Sequence, residues 1–463
     1  MQRKNLKLLI ALIIIVLMVI FTYFYFDKTN DTTGDTTGDT STGTNFVSDF
    51  FNFGVKDKTD GNTNEETPTD ISDYTPPENT TEAQKLRLTK VSSMPVAGFT
   101  VFMKEIYKDV ANPKKTNPSS AEFSSPPAKG GIEGGSKITP TAPATEFVPI
   151  LRYVAKETGF IYQSAVDKIL ERKFTNTTIP RVYEASFADK ENTVIMRYLK
   201  KDGKTIETFT GELPKEVLGA DTAEENEITG SFLPENITDM SVSSDTSEIF
   251  YLFNFKDGVA GTTAFALGSN KTQVFDSKFT EWLSQWPNSN MITVTTKPAS
   301  FVSGYMYAID PNKKDLKKIL GGINGLTTLT SPDGNNVLYS NNNLNMSIYN
   351  KQTGEYKQLG VRTLSEKCVW GRASDVVYCA VPKYINGSLY PDTWYQGEVS
   401  FSDDIWKIYT TDGNGSKILD PLISGEGTST EEIDGIKLML DQTENYLFFV
   451  NKKDSYLWEL RLN

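Results

Sequence analysis

From Lys85 onward, apolar and polar residues alternate with a period of two, in short runs divided by Asp, Asn, Gly and Ser. Runs of this kind predict strands and tight turns, and so an all-β fold. Helical signals are sparse; EWLSQW, Glu281 to Trp286, is short. One characteristic hairpin strand begins near Val148, Val194, Ile249, Ile292, Val337, Val376 and Leu447, at spacings of 46, 55, 43, 45, 39 and 71 residues. Most of these spacings match one four-stranded blade. Each strand is followed by a second: GFIYQSAV, TIETFTGEL, TTAFALG, GYMYAID, MSIYN, DIWKIYTTD and YLWELRL. Seven such units predict a seven-bladed β-propeller over residues 84–463, a closed form that leaves only short sheet edges. The last unit has three strands before Asn463, and KLRLTKV (Lys85 to Val91) is a spare strand ahead of the first unit. This N-terminal strand is expected to complete the C-terminal blade.

The chain before the head follows other patterns. Residues 8–26 (Leu8 to Phe26) are 19 consecutive uncharged residues, almost all apolar, preceded by Arg3, Lys4 and Lys7 and followed by Asp27. About 20 apolar residues span a bilayer core, and basic flanks stay in the cytoplasm. The expectation is an uncleaved signal anchor with residues 1–7 in the cytoplasm and the head extracytoplasmic at the plasma membrane. A cleaved signal peptide is disfavoured by the length of the run and the lack of an A-x-A-like site. Residues 27–83 carry thirteen acidic and three basic residues and the repeat DTTGDTTGDTSTGT. That composition predicts a disordered acidic tether. Within it Phe46, Phe50, Phe51 and Phe53 form an aromatic island. It reads either as a docking segment, such as a strand added to a sheet edge, or as a local cluster on the head or the lipid.

Composition narrows the chemistry. The 463 residues include no histidine and two cysteines, with a net charge of −12. Imidazole bases, Ser-His-Asp and Cys-His pairs and His-ligated metals are excluded, and two cysteines do not complete a zinc site. No cofactor or metal is expected. An acidic head argues against nucleic acid, despite the small basic patch at Lys313, Lys314, Lys317 and Lys318. GGINGLTT (Gly321 to Thr328) lacks a P-loop lysine.

A resemblance enters at one unit. Ser331-Pro332-Asp333-Gly334, followed by VLYS and SIYNKQTGEYKQL, resembles the TolB-like (WD40-like, PD40) propeller repeat. The turns PNKKDLKKIL and TTDGNGSKIL are similar to the closing turn of that repeat. NTTIPRVYEA (Asn176 to Ala185), CAVP (Cys379 to Pro382) and YPDTWYQG (Tyr390 to Gly397) resemble segments of uncharacterised membrane-anchored propellers of small-genome bacteria. What the resemblance implies is a fold and export, with no activity attached.

Two insertions depart from the repeat, 108–147 and 383–404. The first is rich in Pro, Gly and Ser, as a loop without its own fold would be. The second contains Tyr390, Asp392, Trp394, Tyr395 and Phe401, with Trp406 close behind. These are candidate binding residues, because large aromatics with a polar handle suit recognition surfaces; they could equally pack the loop down. Cys368 and Cys379 lie on runs that a hairpin would pair, and a disulfide is expected. Asp403 and Asp404 near Glu398 could be paired carboxylates for glycoside cleavage, but read more simply as surface acids. Asp412-Gly413-Asn414-Gly415-Ser416 begins like a calcium loop and lacks its later glutamate.

No catalytic residue is assigned. The leading expectation is a non-catalytic, membrane-tethered propeller that binds an envelope protein or a surface polymer, or serves as a scaffold. The alternative is a His-independent carbohydrate-active or calcium-dependent enzyme, or a polysaccharide-binding module.

Overall fold

The computed structural model describes residues 87–108, 144–166, 169–216, 226–387, 389–422 and 431–462. They belong to the unit Thr80–Asn463. Their strands form seven four-stranded antiparallel sheets, each with its strands in sequence order except the last. The innermost strands, which surround the central channel, are Val96–Tyr107, Val182–Ala188, Ile237–Val242, Trp282–Asn288, Thr327–Thr330, Cys368–Trp370 and Gly435–Leu440 in blades 1 to 7. The seven recurring hairpin strands seen in the sequence are the second strands of the seven blades, and their followers are the third. This is a seven-bladed all-β propeller.

Closure is made by the chain's two ends. Leu88–Lys90 is the outer strand of blade 7, with Leu88 opposite Leu460 and Lys90 opposite Trp458. Hydrogen bonds from Val91 N to Leu457 O (2.8 Å) and from Arg461 N to Arg87 O (2.9 Å) extend the ladder. Leu88 is fully buried between blades 6 and 7. Deleting 85–91 is therefore expected to lower the stability of the whole ring. The milder Leu88→Ala should cost about 2–5 kcal/mol. Denaturant unfolding followed by tryptophan fluorescence reads both; an unchanged midpoint would exclude a closing role.

The core is divided among the blade junctions. One apolar cluster lies between each consecutive pair of blades. The alternation dictates this, because each strand sends successive side chains to its two neighbouring blades. Glu281 to Trp286 corrects the short helical signal. Trp282, Ser284 and Trp286 share one face of the innermost strand of blade 4, and both tryptophans pack on blade 3. A spacing of four residues fits both periods, and the sheet decides between them.

Cys368 and Cys379 are cross-strand partners in blade 6, with their sulfurs 2.14 Å apart. Reduction should lower stability by about 2–3 kcal/mol on the chain-entropy account. Intact mass after alkylation, with and without reductant, checks the bond directly; two alkylated thiols without reductant would exclude it.

Among the described residues no helix is long and apolar enough to cross a membrane. The helical pieces are the single turns Ser365–Lys367 and Asp392–Tyr395, far short of a span. The expected anchor, the membrane as a partner and the single-pass localisation are corrected to this extent: nothing among the described residues supports them. Residues 8–26, the tether 27–83 and Phe46, Phe50, Phe51 and Phe53 lie outside the described residues, as does most of the insertion 108–147.

Candidate functional site

The second insertion folds over one side of the ring, with the turn Asp392–Tyr395 at its centre. Tyr390, Trp394 and Phe401 are buried, and pack with Leu344 and Leu364. The Tyr390 hydroxyl donates to Asn386 O at 2.6 Å. Asp392 Oδ2 accepts from Ser300 N of blade 4 at 2.8 Å. Tyr395 donates its hydroxyl to Glu366, which burial raises above the ordinary glutamate range. The structure brings these five residues together. Trp406 stands apart, opposite Cys379 in the third strand of blade 6.

Beneath the insertion lies a charged clamp with no solvent contact. Lys367 Nζ is 2.8 Å from Asp403 Oδ2 and also bonds Asp434 Oδ1. Trp394 Nε1 and Phe401 N each donate to Asp434 Oδ2 at 3.0 Å. Gly435 N donates to Asp403 Oδ2 at 2.7 Å. Burial raises Asp403 to about 6 against the pull of Lys367. Burial also works to raise Asp434, but Lys367 and the added donors leave it below the usual carboxylate value. Asp404 points the other way, to Lys383 and Lys417. Adjacent strand residues face opposite sides, so Asp403 and Asp404 do not flank a common substrate. Asp412 closes a turn by accepting from Asn414 N at 2.9 Å.

A different set of groups faces the channel. The innermost strands of blades 7, 1, 2, 3 and 4 each carry a β-bulge, at Ile436/Met439, Val96/Gly98, Val182/Glu184, Ile237/Asp239 and Gln285/Asn288. Those of blades 5 and 6 run regularly. Bulges re-aim side chains and concentrate beside active sites. Lys437, Tyr183, Glu184 and Asp239 stand at or beside these bulges, whereas Ala97 is buried between blades 1 and 2. Gly98 permits the crowding, since a Cβ there would lie 1.9 Å from Ala185 O.

Polar contacts join blade 7 to blade 1, blade 2 to blade 3 and blade 3 to blade 4. Lys437 Nζ donates to Ala97 O at 2.9 Å. Glu184 Oε2 is ion-paired with Arg197 Nη1, and Arg197 Nη2 donates to Ile237 O. Asp239 Oδ2 accepts from both Ser284 N and Ser284 Oγ at 2.6 Å. Burial raises Asp239 to about 6; Ser284 opposes that shift and Glu184 adds to it. Tyr183 is 40% exposed, with the Arg197 guanidinium over its ring at 5.4 Å. A cavity of ≈ 450 Å³ opens beside Glu184 and Lys437, lined by Thr100, Ser186, Thr246 and Met439 among others; Tyr183 and Asp239 are not part of its lining. Among the described residues no group of three or more Asp, Glu, Cys or His is placed to hold a metal ion.

Glu184 lies within NTTIPRVYEA, one of the segments the sequence singled out, but no role was legible there. Asp239 and Lys437 carried no signal.

No protein-family profile matches the chain, and no curated protein matches it in sequence. Solved structures do. An oligogalacturonate lyase in complex with manganese is 9% identical with a TM-score of 0.44, over 68% of this chain and 85% of that one. Oligogalacturonate lyase from Vibrio parahaemolyticus is 9% identical with a TM-score of 0.44, over 68% and 86%. TolB from Acinetobacter baumannii is 10% identical with a TM-score of 0.36, over 66% and 60%. The likeness is one of fold: a seven-bladed propeller related at low identity to these types, and no named family. Two of these similar propellers are named as lyases, and nothing in the comparisons supports the expectation of a non-catalytic binding module.

Proposed function

We propose that the chain is a His-independent, carbohydrate-active propeller whose bulged channel wall binds a glycan and cleaves a glycosidic bond. The observation that carries this is the pair Glu184 and Asp239, carboxylates on neighbouring bulged strands in different surroundings. Glycoside cleavage needs one carboxyl group that gives a proton to the leaving oxygen and one carboxylate that serves as base or nucleophile. Asp239, raised to about 6, is the proton donor. Glu184, ion-paired with Arg197, is the carboxylate. The half-exposed Tyr183 offers a ring on which a sugar face packs. The TolB-like origin of the blades is part of the same proposal, supported by the turn Ser331 to Gly334, where Ser331 Oγ bonds Asp333 Oδ1.

The test is release of reducing ends by the full-length chain from a panel of neutral and acidic polysaccharides. Turnover lost in both Glu184→Gln and Asp239→Asn supports the reading. No turnover of any polymer, or full turnover in both variants, overturns it.

A further inference from the structure

Lys437 is not used by the cleavage chemistry, and its placement is unusual. It stands inside the innermost strand of blade 7 with φ = +53°, a left-handed conformation that Lys190 and Lys314 also adopt, but outside any strand. At this point Lys437 and Leu438 together oppose the single residue Phe449, because the register steps from Ile436–Val450 to Met439–Phe448. Lys437 keeps solvent contact and lines the ≈ 450 Å³ cavity, as does its neighbour Leu438, whose side chain also joins the apolar cluster between blades 6 and 7. Non-glycine residues held in such backbone regions are strained and cluster at functional sites. One hydrogen bond, to Ala97 O, fixes the amine. Glu184 lines the same cavity and supplies a proton acceptor.

We propose that Lys437 is a carbonyl-capturing amine that forms an imine with a small aldehyde, such as the open-chain end of a reducing sugar. The ammonium first gives up a proton. The nitrogen lone pair then attacks the carbonyl carbon, a C–N bond forms, and the carbonyl electron pair moves to oxygen, which takes a proton. The resulting carbinolamine loses its hydroxyl as water, with a proton from nitrogen, to leave the C=N bond. The sum is amine plus aldehyde giving imine plus water, with no oxidant or reductant. Although Lys437 keeps solvent contact, the packed wall around its amine lowers it below the ordinary lysine value; Glu184 opposes this, and Lys156 and Arg197 add to it.

The experiment uses the full-length chain with glycolaldehyde and cyanoborohydride at pH 7, which reduces any imine to a stable secondary amine, followed by peptide mass mapping. Lys437 is expected to be labelled at least about tenfold faster than the exposed Lys313 and Lys314. Labelling of Lys437 no faster than those two overturns the proposal. Lys437→Arg should remove the fast adduct and leave the slow ones. Should that variant fail to fold, the comparison within the wild-type chain still decides. The inference does not depend on glycan cleavage: a chain that captures glycolaldehyde at Lys437 but turns over no polymer retains it and loses the previous reading.

Discussion

Asp239→Asn is expected to lower glycan turnover by about 10²–10⁴-fold, the range that a positioned proton donor contributes. An amide keeps the shape and accepts the same two hydrogen bonds from Ser284, but it gives no acidic proton. The pH profile follows from the same group. Asp239 is raised by burial to about 6, so its acid form is depleted as pH rises through that value, and kcat/KM should fall on the alkaline side of pH 6. Stability moves in the opposite sense. A carboxyl group raised in the folded state contributes stability below its unfolded value near 3.8, and that contribution is lost as pH rises through about 6. At pH 7 the native chain therefore bears the cost of a charged, buried Asp239. Asp239→Asn should be at least as stable as wild type there while being far less active. A melting temperature that falls with the activity would point to a structural role instead.

This site was largely invisible in the sequence, and the fold was not. The second and third strands of all seven blades were readable because they alternate strictly and are fenced by Asp, Asn, Gly and Ser turns. The closing strand was readable because KLRLTKV has no other partner in its own unit. Bulges leave no such trace. Lys437 reaches its left-handed conformation without a glycine to mark it. The extra residues Ala97, Tyr183 and Thr238 look like any other strand residues. Adjacency also misled: Asp403 and Asp404 touch in sequence but point to opposite sides of a strand, whereas Glu184 and Asp239 come from different blades. The aromatics of the second insertion were legible as a cluster. Their burial was not, because it depends on Asp434, a residue 40 positions beyond Trp394.

Lys367→Met is expected to destabilise the head by about 3–5 kcal/mol at neutral pH, the cost of stranding a buried charge by removing its partner. Lys367, Asp403 and Asp434 have no solvent contact, and the lysine is the cation shared by both carboxylates. Without it Asp403 and Asp434 face each other inside the protein, and each is easier to protonate folded than unfolded. The folded variant then binds more protons than the unfolded chain between about pH 4 and neutrality, so its stability falls as pH rises through that window. The gap from wild type should accordingly be widest near pH 7 and narrow towards about pH 4.5, as read from urea midpoints at the two values. A gap independent of pH would assign the loss to packing against the Trp394 and Phe401 rings, which lie 5.3 and 5.2 Å from the Lys367 ammonium. Adding Asp403→Asn and Asp434→Asn to Lys367→Met removes both stranded charges and should recover much of the loss. The amide that replaces the Asp434 carboxylate would still accept from Trp394 Nε1 and Phe401 N through its one oxygen, so the insertion would keep its seat on the ring while the pH dependence disappears.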